Sequence, residues 1–227
     1  MFKKLFFAAG MLCLMSGALY AQDSKVKVGI EGGLNLAKMS SSGSDGSQST
    51  SNLTGFHAGV VLDCDLGPVS LQPGLFYSVK GGKFDASTTI TMGSDTYTSS
   101  AHAQVSLNYL ELPVNVVYKV PVGEGTHFFI GAGPYLGYGL SGKVKYNASA
   151  TGGGDSAAES GEQNVTFGSS TDQYKALDFG ANFTGGFRFK NGLQLGVSYG
   201  LGLSNISNES DNSTKNNVFR ASLGFFF

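Results

Sequence analysis

"YLELPVNVVYK", Tyr109 to Lys119, alternates with a period of two. Leu110, Leu112, Val114, Val116 and Tyr118 share one parity, and Glu111, Pro113, Asn115, Val117 and Lys119 share the other. Successive side chains of a strand point to opposite faces, so the segment has one apolar face and one mostly polar face. A carboxylate such as Glu111 is costly to enclose without a partner. The stretch therefore poses the question of what each face touches and what stands opposite Glu111.

The same alternation recurs along the chain. It covers residues 25–39, 53–65, 69–83, 105–119, 127–142, 174–189, 193–205 and 217–227. Each segment reaches the ~9–11 residues that a tilted strand needs to cross a bilayer, and soluble strands average only ~5–6. The connections are 40–52, 66–68, 84–104, 120–126, 143–173, 190–192 and 206–216, which alternate long and short. The long ones are rich in Ser, Gly, Asn, Asp and Thr, and the short ones carry Gly67–Pro68, Pro121 to Gly125 and Asn191–Gly192. Tight turns on one side and long loops on the other are the pattern of outer-membrane barrels. The sequence thus predicts an all-β fold, an eight-stranded antiparallel up-and-down transmembrane β-barrel in a bacterial outer membrane, monomeric. Its competitor is a soluble lipocalin-like barrel, in which the apolar parity would face a ligand cavity.

Composition agrees with that class. Glycine is 34 of 227 residues, proline only 5 and tryptophan absent, with 17 Phe and 10 Tyr. The N-terminus has the three regions of a secretory signal peptide: Lys3 and Lys4, an apolar run from Leu5 to Ala18, and small residues up to Ala21. Residues 1–21 are read as that signal and 22–227 as the barrel domain. Loss of Lys3 and Lys4 leaves 13 basic against 16 acidic residues, a balance that gives no electrostatic argument for nucleic acid. Cys64 is then the one cysteine left, so no internal disulfide can form.

In a membrane barrel the apolar parity faces lipid and the polar parity the interior, and closure satisfies every backbone group. Glu31, Lys80, Glu111, Asp178 and Arg220 are then enclosed charges, with His57 beside them, and Glu111 is expected to pair with Arg220 or Lys80. Lys25, Lys27, Asp63, Asp65, Lys119 and Arg188 fall toward the periplasmic end. Pro113, which donates no hydrogen bond, predicts a bulge. Aromatic girdles are expected from Tyr118, Phe128, Phe189 and Phe227 on the periplasmic side and from Phe56, Tyr109 and Tyr138 on the outer side.

Several motifs carry the resemblance of this chain to a known family: "ALYAQ" at the signal end, "KVGIEGGLNLAKM", the opening stretch, "FFIGAGPYLGYGL" and "ALDFGANFTGGFRF". Together they resemble the PorT-type outer-membrane β-barrel family of Bacteroidetes over about 25–227. Tyr109, Leu110, Glu111 and Pro113 match its fourth-strand motif, Gly131, Gly133 and Pro134 its fifth, and Asp178 and Gly180 its sixth. The resemblance implies the barrel. Its founding member is tied to a secretion system, and most relatives have no assigned role. The terminal "RASLGFFF", ending at Phe227, resembles the signal read by the barrel-insertion machinery.

Other chemistry finds little support. "GAGPYLG" lies in a strand pattern with no helix after it and lacks the context of a dinucleotide fingerprint. His102, Ser99, Ser100 and Asp95 share one polar loop and are the candidates for a hydrolase at the outer rim. His57, His102 and His127 form no metal set. No enzyme activity, cofactor or metal is expected. An eight-stranded interior is filled by side chains rather than water, which leaves a narrow channel or a secretion-system accessory barrel as alternatives. The first expectation is a structural or surface-interaction role through the long external loops. Expected partners are outer-membrane lipid and lipopolysaccharide, the insertion machinery, and surface or secretion partners.

Overall fold

A computed structural model describes residues 26–43, 46–93, 95–153, 155–171, 173–209 and 212–227. The segment 1–21, expected to be a signal, and Lys25 lie outside them. Ten strands follow in order: β1 (Val26–Gly43), β2 (Gly46–Ser49), β3 (Leu53–Asp65), β4 (Val69–Met92), β5 (Asp95–Gly123), β6 (Thr126–Gly152), β7 (Asp155–Val165), β8 (Leu177–Arg188), β9 (Leu193–Gly202) and β10 (Asn212–Phe226). Eight of them form an antiparallel ring in the order β1, β3, β4, β5, β6, β8, β9, β10, and β10 closes on β1 with Gly29 opposite Phe226 and Gly43 opposite Asn212. The strands β2 and β7 pair only with β1 and β6 at the outer end.

The register sets the shape. Cross-strand partners can be followed once round the ring from Val26 through Cys64, Leu71, Val116, Ala132, Phe183, Tyr199 and Phe219 to Leu36. The path returns ten residues further along β1. With ordinary strand spacings, that stagger tilts the strands by about 40° and gives a radius of about 8 Å. Each residue then rises about 2.5 Å along the axis. Side chains can fill such an interior, and a wide aqueous channel does not fit.

The apolar parity faces outward. Ile30, Leu34, Phe56, Val116, Ile130, Phe183, Leu195, Val197 and Leu223 are exposed, whereas Asn35, His57, Ser78, Lys80, Glu111, Asp178, Asn182 and Arg220 are buried. The outward apolar residues, from Phe187 and Leu193 up to Leu36, Val79 and Phe179, span about 25 Å of height, the band expected of an outer-membrane barrel. This inside-out distribution excludes the lipocalin-like alternative, which needs the oily side within. No helix among the described residues is long and apolar enough to cross a membrane; the strands would do so.

The inward glycines have a packing reason. Tyr135 lies across β8, where a Cβ on Gly180 would meet the Leu201 carbonyl oxygen at 2.0 Å and the Tyr135 Cε1 at 2.7 Å. Phe226 likewise covers Gly29, where a Cβ would meet its Cε1 at 2.6 Å. A ring laid over a bare backbone fills the space that a side chain would otherwise need. Gly29→Val should therefore expel Phe226 and cost about 1–3 kcal/mol, read as a lower urea midpoint of the folded protein in lipid. An unchanged midpoint would mean that the ring is not seated there.

Three expectations need correction. The connections 84–104 and 143–173 are largely strand: β4 runs on to Met92, β5 starts at Asp95, β6 ends at Gly152 and β7 follows. Their residues are mostly polar or small on both faces because there is no lipid at that height. Paired hydroxyls such as Ser87–Ser100 at 3.3 Å and Thr89–Thr98 at 3.2 Å then take the place of apolar alternation. Pro113 carries no bulge. Pairing lapses briefly on either side of it, but the register continues from Pro73 opposite Val114 to Phe76 opposite Glu111. The irregularities fall at Asn108/Tyr109 and Pro121/Gly123. Tyr109 does not belong to the outer girdle. It shares the inward parity of Glu111 and is fully buried.

Candidate functional site: the enclosed charge network

Alternation delivers the network. It turns Phe76, Ser78 and Lys80 of β4 inward, with Tyr109 and Glu111 of β5, Asp178 of β8, and Asn216 and Arg220 of β10. Lys80 Nζ stands 2.6 Å from Glu111 Oε2 and 3.1 Å from Asp178 Oδ2. Arg220 Nη2 donates to Glu111 Oε1 at 2.6 Å. Glu111 thus contacts both of its candidate cations. Asp178 also accepts from Ser204 at 3.0 Å, from Asn216 at 3.2 Å and, at 3.4 Å, from the Tyr135 hydroxyl. The Lys80 ammonium lies 4.2 Å from the centre of the Tyr135 ring and 5.3 Å from that of Tyr109, close enough for cation–π attraction. Two cations and two anions, drawn from four strands around the ring, form a neutral cluster.

A polar layer sits beside it. His57 Nδ1 is 2.7 Å from Asn35 Oδ1, and its Nε2 is 3.0 Å from Ser222 Oγ. The Asn35 amide donates to the Phe56 and Val79 carbonyls. Glu31 accepts from Gln194 at 3.3 Å and lies 3.9 Å from His57, and no ion pair within 4 Å joins it to the four-charge cluster. Nearer the short-turn end Asp63 takes an ion pair from Arg188 and a second from Lys119 at 2.9 Å. The Arg188 guanidinium lies 3.6 Å over the Phe226 ring. Between the layers is a cavity of about 40 Å³, lined among others by Asn115, Asn182, Ser198 and Arg220. It has room for two or three waters, and Arg220 Nε and Asn182 Oδ1, which have no protein partner, border it.

Above the charges the barrel is capped by apolar groups. Met39, Val105, Leu107, Tyr109 and Ile206 form a buried cluster, with Val144, Val165, Phe167 and Tyr174 packed on it. Phe167 meets Tyr109 edge-on at 5.8 Å. The lumen is therefore interrupted at three heights, by the cap, the central charges and the Asp63 cluster.

The residues considered for catalysis do not converge. His102 Nδ1 is 2.7 Å from Asp85 Oδ1 on the projecting hairpin, and this bond holds the Asp85 carboxyl below the usual aspartate range. Ser100 shares the face of His102 but pairs with Ser87, Ser99 points to the opposite face, and Asp95 lies at the hairpin tip. Among the described residues no three His, Cys, Asp or Glu side chains could hold a metal. Phe227 lies exposed at the short-turn rim, its amide bonded to Val28 O at 2.9 Å and its ring edge-on to Phe225. Sequence reasoning missed Tyr135, Ser204 and Asn216 as members of the network. The parity of the glycines beside Tyr135 in "GAGPYLG" was a usable signal for that residue, whereas Asn216 fell in a stretch read as loop.

A closed ring with an oily exterior and a paired, charged interior defines an outer-membrane β-barrel. The chain belongs to the outer membrane protein beta-barrel domain family, whose model matches residues 20–208, and its place is the bacterial outer membrane. No curated protein matches it. Among solved structures it is similar to Ail, the attachment invasion locus protein of Yersinia pestis, in complex with the heparin analogue sucrose octasulfate. That match has 12% identity over 89% of this chain and 99% of that one, with a TM-score of 0.36. Neisserial surface protein A matches at 13% identity over 90% and 98%, TM-score 0.37. A deltaS2S3 mutant of TodX, a monoaromatic hydrocarbon channel, matches at 8% over 88% and 90%, TM-score 0.29. Likeness at this level carries no argument about function.

Proposed function

We propose that this barrel is a surface-interaction protein: its lumen is structural, and its projecting sheet makes the contacts. The carrying observation is the sheet of β4, β5, β6 and β7. Hydrogen-bonded registers run from Phe84 opposite Ala103 to Met92 opposite Asp95, and from Gly142 opposite Val165 to Gly152 opposite Asp155. The tips stand roughly 25–30 Å above the apolar band. Among the described residues the outer edges of β4 beyond Lys83 and of β7 have no strand partner. Unpaired edges accept an added strand. On the face continuous with the lumen, Ile90, Tyr97, Ala150 and Ala157 line a concavity of about 350 Å³. A channel is disfavoured by the three closures of the lumen. In the same reading residues 1–21 are the cleaved signal, Phe227 is the insertion signal, and Glu31, Lys80, Glu111, Asp178 and Arg220 hold the barrel together. The PorT-type placement rests on the strand motifs alone.

The test is to replace 85–102 and 145–162 by short turns. The shortened protein should still insert and still change gel mobility on boiling. Attachment of cells displaying it to arrayed glycans and matrix proteins should fall to the level of cells without the barrel. Undiminished attachment would overturn the reading.

A further inference from the structure

The outward face changes character abruptly where the apolar band ends. Lys38 follows Leu36 on β1, Lys83 follows Val79 and Gly81 on β4, Lys143 follows Leu140 on β6, Lys175 precedes Leu177 of β8, and Lys215 precedes Asn217 and Phe219 on β10. With the ring's stagger and rise, these five positions fall within about 10 Å of one height, just above the oily band. Ala37, Met39, Thr214 and Asn216 are buried, so alternation turns Lys38 and Lys215 outward. Lys38, Lys83, Lys175 and Lys215 are half-buried, as expected when the methylene stems lie along apolar surface and the ammonium reaches the interface.

Outward carboxylates stand higher. Asp85, two positions beyond Lys83, is bonded to His102, and Glu162 pairs with Lys143 and with Lys145 at 3.5 Å. Among the described residues, Lys38, Lys83, Lys175 and Lys215 have no carboxylate within 4 Å. Four cations at one level encircle the barrel at headgroup depth.

We propose that this lysine collar binds the phosphate groups of the outer leaflet's phosphorylated glycolipid, fixing the depth and lipid shell of the barrel. The collar acts from outside the ring at the membrane surface, so the proposal does not depend on the projecting sheet. Its failure would leave the surface-interaction reading standing.

The test uses the folded full-length barrel in nanodiscs of phosphatidylethanolamine carrying bisphosphorylated lipid A, dephosphorylated lipid A or phosphatidylglycerol. Lipid retained on release into detergent is counted by native mass spectrometry. Bisphosphorylated lipid A should be retained over both others. The combined variant Lys38→Gln, Lys83→Gln, Lys175→Gln, Lys215→Gln should lose at least about tenfold, since each lysine near an anionic lipid surface contributes on the order of fivefold. Equal retention of the dephosphorylated form, or of phosphatidylglycerol, would overturn the proposal, as would full retention by the variant. If the variant does not fold, the three lipids on the unaltered protein decide, with retention of the phosphorylated form expected to fall as salt rises.

Discussion

Lys80→Met should lower the unfolding free energy in lipid by about 3–5 kcal/mol, the range found when one partner of a buried ion pair is removed. Lys80 touches both carboxylates of the central cluster, at 2.6 and 3.1 Å, and its side chain is 1% exposed. Its loss leaves Asp178 without a cation and the enclosed cluster with a net negative charge. Methionine preserves the stem between the Tyr109 and Tyr135 rings, so the loss reports charge rather than volume. Arg220→Leu should cost less, because Glu111 keeps Lys80 and Arg220 borders the water-sized cavity. Adding Asp178→Asn to Lys80→Met should recover much of the loss, since the Arg220–Glu111 pair then stands alone and neutral. Urea titration of heat-modifiable gel mobility reads all three. A Lys80→Met midpoint equal to that of Ser99→Ala, a change on the projecting hairpin, would show that the cluster does not hold the barrel.

Phe183→Arg should cost about 2–4 kcal/mol, and Leu203→Arg only about 0–1, because the penalty for a lipid-facing cation peaks at the bilayer midplane and fades at the interface. Both residues are about half exposed on the outer surface, at 49% and 51%. Phe183 lies near the middle of the apolar band and Leu203 at its outer limit. Two similar burial changes with unequal costs are a signature of lipid, and equal costs in the same titration would indicate water on that face.

The strands within the membrane were legible because lipid outside and charge inside force strict alternation. Glu111 inside an apolar run announced the enclosed network, and its contacts with Lys80 and Arg220 follow from parity and height. Above the bilayer that contrast disappears. Thr, Ser and Ala serve both faces of β4, β5, β6 and β7 there, so strands looked like loops, and composition alone could not separate the two. Tyr109 was misplaced although its parity matches that of Glu111, because an aromatic near the outer boundary has two plausible environments. The apolar cap was unreadable for another reason: Ile206, Phe167 and Tyr174 come from connections whose path over the barrel mouth is set by tertiary packing.

Everything above depends on which side of the cylinder is oily, and adjacent residues of β8 test it. In a Cys64→Ala background, single cysteines at Phe183 and Asn182 are labelled with a fluorophore in the unfolded protein, which is then folded into vesicles containing brominated lipid. The account predicts strong quenching by the bromines from position 183 and little from position 182. The reverse pattern, with position 182 quenched and 183 shielded from lipid, would contradict it.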